Sequence, residues 1–176
     1  MFLKNNVRIT IILSIIFFSC QTMKKDLAVV DTVDLNRYAG KWFEIAKLPN
    51  SFEKGLKCVT ATYSVRNDGK IQVVNEGINT KKNNKLQKIK GVAFMPDKAV
   101  PAKLKVRFFW PFSGNYWIID LDRDQYQYAL IGEPSRKYLW ILCRTNRMDE
   151  VLYNRLINKA KEDGFDISKV EMTLQE

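Results

Sequence analysis

From Trp42 to Cys143 the chain alternates apolar and polar residues in short segments that recur about every ten residues. In "VTATYSV", Val59, Ala61, Tyr63 and Val65 share one face, opposite Thr60, Thr62 and Ser64. In "KLKVRFFW", Leu104, Val106 and Phe108 oppose Lys103, Lys105 and Arg107. A period of two marks half-buried strands. The pattern predicts strands near 41–48, 58–66, 70–77, 86–95, 103–109, 115–122, 126–132 and 138–144. Turn chemistry separates them, as in "RNDGK", "TKKNNK", "WPFSGN" and "GEPSRK". The period then changes. "NRMDEVLYNRLINKAKEDG" sets Met148, Val151, Leu152, Leu156 and Lys159/Ala160 on one stripe, which predicts a helix over 147–163 that Gly164 stops. "VDLNRYAGKW" reads as a short helical turn entering the first strand, and "SKVEMTLQ" holds a last strand.

Eight antiparallel strands joined by short turns can close on themselves and so lose their edges. An eight-stranded barrel either fills with side chains or holds one small ligand. The first and last strands are apolar on both faces: Phe43 and Ile45 oppose Trp42 and Ala46, while Leu139, Ile141 and Cys143 oppose Trp140 and Leu142. Such strands need an outer cover, which the amphipathic helix supplies. The expected fold is all-β, an eight-stranded antiparallel up-and-down barrel over residues 35–176 with the C-terminal α-helix packed outside. No linker or repeat divides it.

The N-terminus has a basic start (Lys4, Arg8) and an apolar middle from Ile9 to Phe18. That middle is short of the roughly 20 apolar residues a membrane span needs, so a secretory signal peptide over 1–19 fits better. Cys20, directly after the small Ser19, resembles the lipobox of bacterial lipoproteins, whose cysteine is acylated and becomes the new N-terminus. Phe17 and Phe18 depart from the Leu and small residue usual there. A signal peptide cut elsewhere, or an uncleaved anchor, is the alternative. On the lipoprotein reading Cys20 carries the N-palmitoyl and S-diacylglycerol groups and 20–34 is a lipidated tether. Gln21 is not the aspartate that retains enteric lipoproteins in the inner membrane, so the resemblance implies a lipid anchor in the cell outer membrane.

Removing Lys4 and Arg8 with the signal lowers the formal charge from +10 to +8. For an exported chain this suits anionic lipid head groups better than nucleic acid. The chain has no histidine, which excludes a His-based zinc site, a Ser-His-Asp triad and a Cys-His pair. No Gly-rich phosphate loop is present. No catalytic residue, metal or cofactor is expected, and the balance tilts toward binding. Cys58 opens the second strand at one end of the barrel and Cys143 closes the eighth at the other. A strand of that length spans roughly 25 Å, whereas disulfide partners need Cα atoms within about 7 Å. No disulfide is expected, and Cys143 should lie beneath the helix.

The stretch "GKWFEIAKLPNSFEKGLKCVTATYSVRNDGKIQVVNEG" resembles the lipocalin family, and within it the bacterial outer-membrane lipoprotein branch. Gly40-Lys41-Trp42 matches the family's Gly-x-Trp. "LDRDQYQYALIG" resembles its Asp-Tyr motif, with Gln125 where tyrosine often stands, and "YLWILCRT" matches the third motif through Arg144. The resemblance runs from about Leu35 to Ile167. It implies that Trp42 plugs the closed end and Arg144 lies across it, so Gly40, Trp42 and Arg144 are closure residues rather than ligand contacts. It also implies storage or movement of lipids for membrane maintenance under stress, with a fatty acid or lysophospholipid as ligand. A homodimer is left open.

The ligand site must then come from inward positions. Counting from Trp42 turns Glu44 and Ala46 inward, and counting back from Arg144 does so for Leu142, Trp140 and Tyr138. Tyr63, Val106, Phe108, Tyr116 and Ile118 join them on the same register. Core filling is the alternative for each aromatic. A carboxylate inside an apolar barrel is costly unless paired or protonated, so Glu44 meets either a ligand head or a structural partner. Two rival functions remain: a lipid-modifying enzyme using Cys58, with Lys54 and Lys57 lowering its thiol pKa, and a filled-barrel structural lipoprotein. Cys58 shares the outward phase of Thr60 and Thr62, which weighs against the first.

Overall fold

The structure, a computed structural model, describes residues 26–176. The signal peptide and Cys20 lie outside the described residues. Eight strands run β1 (Gly40–Lys47), β2 (Leu56–Val65), β3 (Ile71–Asn79), β4 (Lys85–Phe94), β5 (Lys103–Phe109), β6 (Phe112–Leu121), β7 (Tyr128–Gly132) and β8 (Leu139–Cys143). Each pairs antiparallel with the next, and β1 pairs with both β2 and β8, so the sheet closes into a barrel. The helical turn α1 (Leu35–Tyr38) precedes β1, and α2 (Glu150–Glu162) and a short β9 (Glu171–Met172) follow β8.

Local chemistry sets the boundaries. The Asp34 side chain accepts hydrogen bonds from the Asn36 and Arg37 N–H groups and starts α1, and Asp149 does the same for Val151 and Leu152 in α2. Gly164 ends α2 with φ +86°, which lets the Phe165 N–H reach the Ala160 carbonyl. Between β6 and β7 the Asp122 carboxylate accepts from the N–H groups of Asp124, Gln125 and Gln127. This loop delays β7 to residue 128, whereas the sequence predicts a start near 126. The β5–β6 hairpin is tight, so β6 begins at Phe112 rather than 115.

Two cores form on the two sides of the sheet. Trp42, Tyr63, Val73, Leu104, Ile118 and Ile131 fill the inside. Outside, Ile45, Ala46, Leu139, Ile141 and Cys143 pack with Leu156 and Ala160 of α2, the cover that the doubly apolar strands require. Val151 is not part of it and is 78% exposed. It precedes Leu156 by five residues, about 140° away around the helix. Cys143 is buried in this outer core, and Cys58 and Cys143 are both free thiols. Leu27 and Val30 are buried as well, and the Val30 N–H donates to the Ile118 carbonyl at 3.0 Å. The segment read as tether therefore packs on the barrel from Leu27 onward.

One expected orientation is reversed. Alternation from Trp42 turns Ala46 inward, but a β-bulge between Glu44 and Ala46 adds a residue to β1 relative to β8. The phase flips there. Ala46 faces α2, and Lys47 pairs with Trp140 on the inner side. A second bulge, between Lys57 and Thr60 of β2, holds Cys58 at φ 52°. Above these bulges β1 and β2 no longer pair directly, and the C-terminal residues fill the gap. The Cys58 N–H donates to Leu174, the Thr173 N–H donates to Ile45, and the Gln175 amide donates to the carbonyls of Glu44 and Val59.

Candidate ligand cavity

The barrel has a closed end and an open one. At the closed end Trp42 is fully buried, and its indole N–H donates to the Tyr38 carbonyl at 2.8 Å. The Arg144 guanidinium lies 3.9 Å from the centre of the Trp42 ring. It also donates to the carbonyls of Tyr126, Lys41, Arg37, Tyr38 and Ala39. Three of these close α1, whose last carbonyls have no helical partner. Gly40, at φ +98°, makes room, since a Cβ there would sit 3.1 Å from Arg144 Nη1. Tyr126, from the β6–β7 loop, completes the seal: its hydroxyl accepts from the Asp34 N–H, and its ring lies 4.3 Å from the Arg37 guanidinium carbon.

Above this floor the Tyr116 hydroxyl joins those of Tyr38, at 2.7 Å, and Tyr63, at 2.9 Å. Burial pushes all three phenols up, so they stay neutral at any physiological pH. From there upward the barrel is hollow. A cavity of about 430 Å³ lies within the roughly 300–1,000 Å³ usual for small-molecule sites. Val59, Ala61, Tyr63, Val73, Val106, Phe108, Tyr116 and Leu142 form its wall. Gly91 lets Phe108 lie flat against the sheet, since a Cβ there would come within 2.7 Å of the ring.

The neck is aromatic and acidic. Tyr138 stacks on Trp140 with centroids 5.9 Å apart and planes within 6°, and Phe52 lies 5.9 Å from Tyr138. Glu53, buried in the β1–β2 loop, accepts from the Trp140 indole and the Asn50 amide. Glu44 sits deeper, bonded to Lys47 at 2.9 Å and to the Thr173 hydroxyl. Burial and the Glu53 carboxylate push its pKa up to about 7, against the pull of Lys47 and Thr173. Glu133, at the start of the β7–β8 loop, is the third carboxylate, held by Ser135 and by the Lys137 N–H. Among the described residues no lysine or arginine lines the cavity. Asn75 does, and its Oδ1 is buried without a hydrogen-bond partner among the described residues.

Eight of the residues chosen from sequence line this space: Glu44, Tyr63, Val106, Phe108, Tyr116, Tyr138, Trp140 and Leu142. Two do not. Ala46 is turned out by the β1 bulge, and Ile118 is fully buried in the inner core without reaching the cavity. Phase counting could have added Val59 and Ala61, which share the face of Tyr63. Phe52, Glu53 and Glu133 come from loops, where no period exists to read. Cys58 is not among the lining residues, and Lys57 is engaged with Glu176 at 2.7 Å.

Comparison with known proteins bears on this architecture. A family model described as a lipocalin-like domain matches residues 33–175. The outer membrane lipoprotein Blc of Vibrio cholerae is 39% identical over 160 residues, covering 91% of this chain and 93% of its own. Temperature-induced lipocalin-1 of Arabidopsis thaliana is 45% identical, covering 88% and 86%. Among solved structures, insecticyanin from the tobacco hornworm Manduca sexta is 27% identical with a TM-score of 0.67, covering 85% of this chain and 84% of its own. With the closed barrel, the outer helix and the Trp42–Arg144 seal, these matches establish that the chain belongs to the lipocalin family.

Proposed function

We propose that this protein is an outer-membrane lipoprotein that binds an amphiphile with one acyl chain and stores or moves it for membrane maintenance under stress. Acylation of Cys20 would hold it at the membrane, as the names of its Blc relatives imply for them. The observation that carries the reading is the hollow barrel, whose apolar wall leads up to a polar neck. Each buried CH₂ of an acyl chain contributes about 0.8 kcal/mol, so the wall of Val106, Phe108 and Leu142 can hold a tail without polar help. The neck favours a lysophospholipid over a fatty acid. A free carboxylate held in the neck would face Glu53 and Glu133, whereas a lysophospholipid can set its glycerol hydroxyl against Asn75 or Glu53 and carry its phosphate out to the exposed rim lysines Lys54 and Lys137.

The test is calorimetric titration with lysophospholipid and with fatty acid of equal chain length. Val106→Trp should block the tail and abolish binding of both while the fold persists. In the parent, lysophospholipid should bind the tighter at neutral pH. If Val106→Trp binds like the parent, the cavity is not the site.

A further inference from the structure

The wall of the barrel accounts for the inward aromatics, but not for those that point away from it. Among the described residues, six of the ten exposed large apolar side chains lie at the open end. The most exposed form the β5–β6 hairpin: Phe109 at 70%, Trp110 at 82% and Phe112 at 77%. Among the described residues nothing covers them. The charge on the loops around them is one-sided, although Glu171, paired with Lys47 at the end of β1, is exposed at the same end. Four loops or turns define this end, at 48–55, 80–84, 110–111 and 133–138, and their exposed charged side chains are Lys54, Lys81, Lys82 and Lys137. The two carboxylates of those loops, Glu53 and Glu133, are buried against the cavity. The closed end is different, since Asp34, Asp68, Asp97 and Asp124 are exposed there beside arginines and lysines.

We propose that the open rim is a membrane-docking surface: the Phe109–Trp110–Phe112 hairpin enters the interface of an anionic bilayer while the rim lysines meet its head groups. Tryptophan and other aromatics prefer the interfacial layer. An apolar element with basic surroundings lies within it, buried by about 5–10 Å. Lysines near an anionic surface add attraction that falls off within a Debye length. A protein partner could also cover aromatics, but it would not by itself account for four loops whose exposed charges are all basic. This orientation points the cavity at the lipid. It follows from the rim alone and stands whether or not the cavity holds an acyl chain.

Fluorescence quenching of the full-length protein, purified from membranes and reconstituted in vesicles of phosphatidylglycerol and brominated phosphatidylcholine, tests it. Among the described tryptophans Trp110 is the most exposed, so it reports insertion. Trp140 lines the cavity and would report a brominated lipid taken up as ligand, so each measurement is paired with Trp110→Phe. The expected result is that most of the bromine quenching disappears in Trp110→Phe. Vesicles should also shield Trp110 from aqueous iodide in the parent but not in Phe109→Ser/Phe112→Ser, with circular dichroism showing that the variants are folded. Equal bromine quenching in the parent and Trp110→Phe, or full iodide access to Trp110 in vesicles, overturns the proposal and leaves the rim to a protein partner. Unchanged insertion when phosphatidylglycerol is replaced by unbrominated phosphatidylcholine overturns the part assigned to the lysines.

Discussion

Replacing Arg144 with alanine should cost about 3–4 kcal/mol of stability, and the structure shows where the loss arises. Arg144 Nε donates to Tyr126 at 3.1 Å, Nη1 to Lys41 at 3.0 Å, and Nη2 to Arg37, Tyr38 and Ala39 at 2.8, 3.3 and 2.9 Å. The three Nη2 contacts share two hydrogens, so they count as two bonds at most. A hydrogen bond from a charged donor is worth about 1.5–3 kcal/mol, and the cation over Trp42 adds about 0.5–2 kcal/mol. Water reaches part of this site and replaces some bonds after truncation, which brings the sum down to the stated range. Urea titration followed by circular dichroism measures the loss. Arg144→Lys should recover little, because one ammonium cannot span carbonyls on α1, β1 and the β6–β7 loop. A double-mutant cycle with Trp42→Leu should give about 1 kcal/mol of coupling. A lysine variant within about 0.5 kcal/mol of the parent would show that charge alone seals the end, and the argument from the fork would fail.

Three further outcomes follow from single sites. Glu44 has its pKa raised to about 7 in the fold from a usual 4.5, so between these values the folded state holds a proton that the unfolded state has lost. Stability from this group is therefore greatest at low pH and falls as pH rises through about 7, and Glu44→Gln should flatten that slope in denaturation at pH 5 and pH 8. A slope that is unchanged in Glu44→Gln would assign it elsewhere. Gly132→Ala places a Cβ 2.6 Å from the buried Phe165 ring and should cost about 1–3 kcal/mol, part of which Phe165→Leu restores in thermal unfolding; simple additivity would contradict the clash. Cys20→Ser should remove the lipid anchor and shift the protein from the membrane fraction toward the soluble periplasm or leave it unprocessed, and normal processing with sedimentation in membranes would refute the lipobox reading.

The sequence by itself determined the barrel, its outer helix and its floor, because each rests on a signal that is local and repeated. Alternation marks eight strands, the change of period marks α2, and the resemblance of the Trp42 and Arg144 motifs to those of the lipocalin family implies that both lie at one end. The lining residues near the floor were legible for the same reason, since parity counted from Trp42 or Arg144 holds while the ladder is regular. Only the tertiary structure decided what lies above the bulges. One extra residue between Glu44 and Ala46 reverses every later side chain of β1, so Ala46 leaves the interior and Lys47 enters it to pair with Glu44. No local pattern announces that insertion, because whether a residue is extra depends on the register of β8. Phe52, Glu53 and Glu133 reach the neck from loops, and Thr173 and Gln175 close the wall between β1 and β2 from more than a hundred residues away in the chain. Those contacts depend on the barrel having closed first, and closure is a property of all eight strands together.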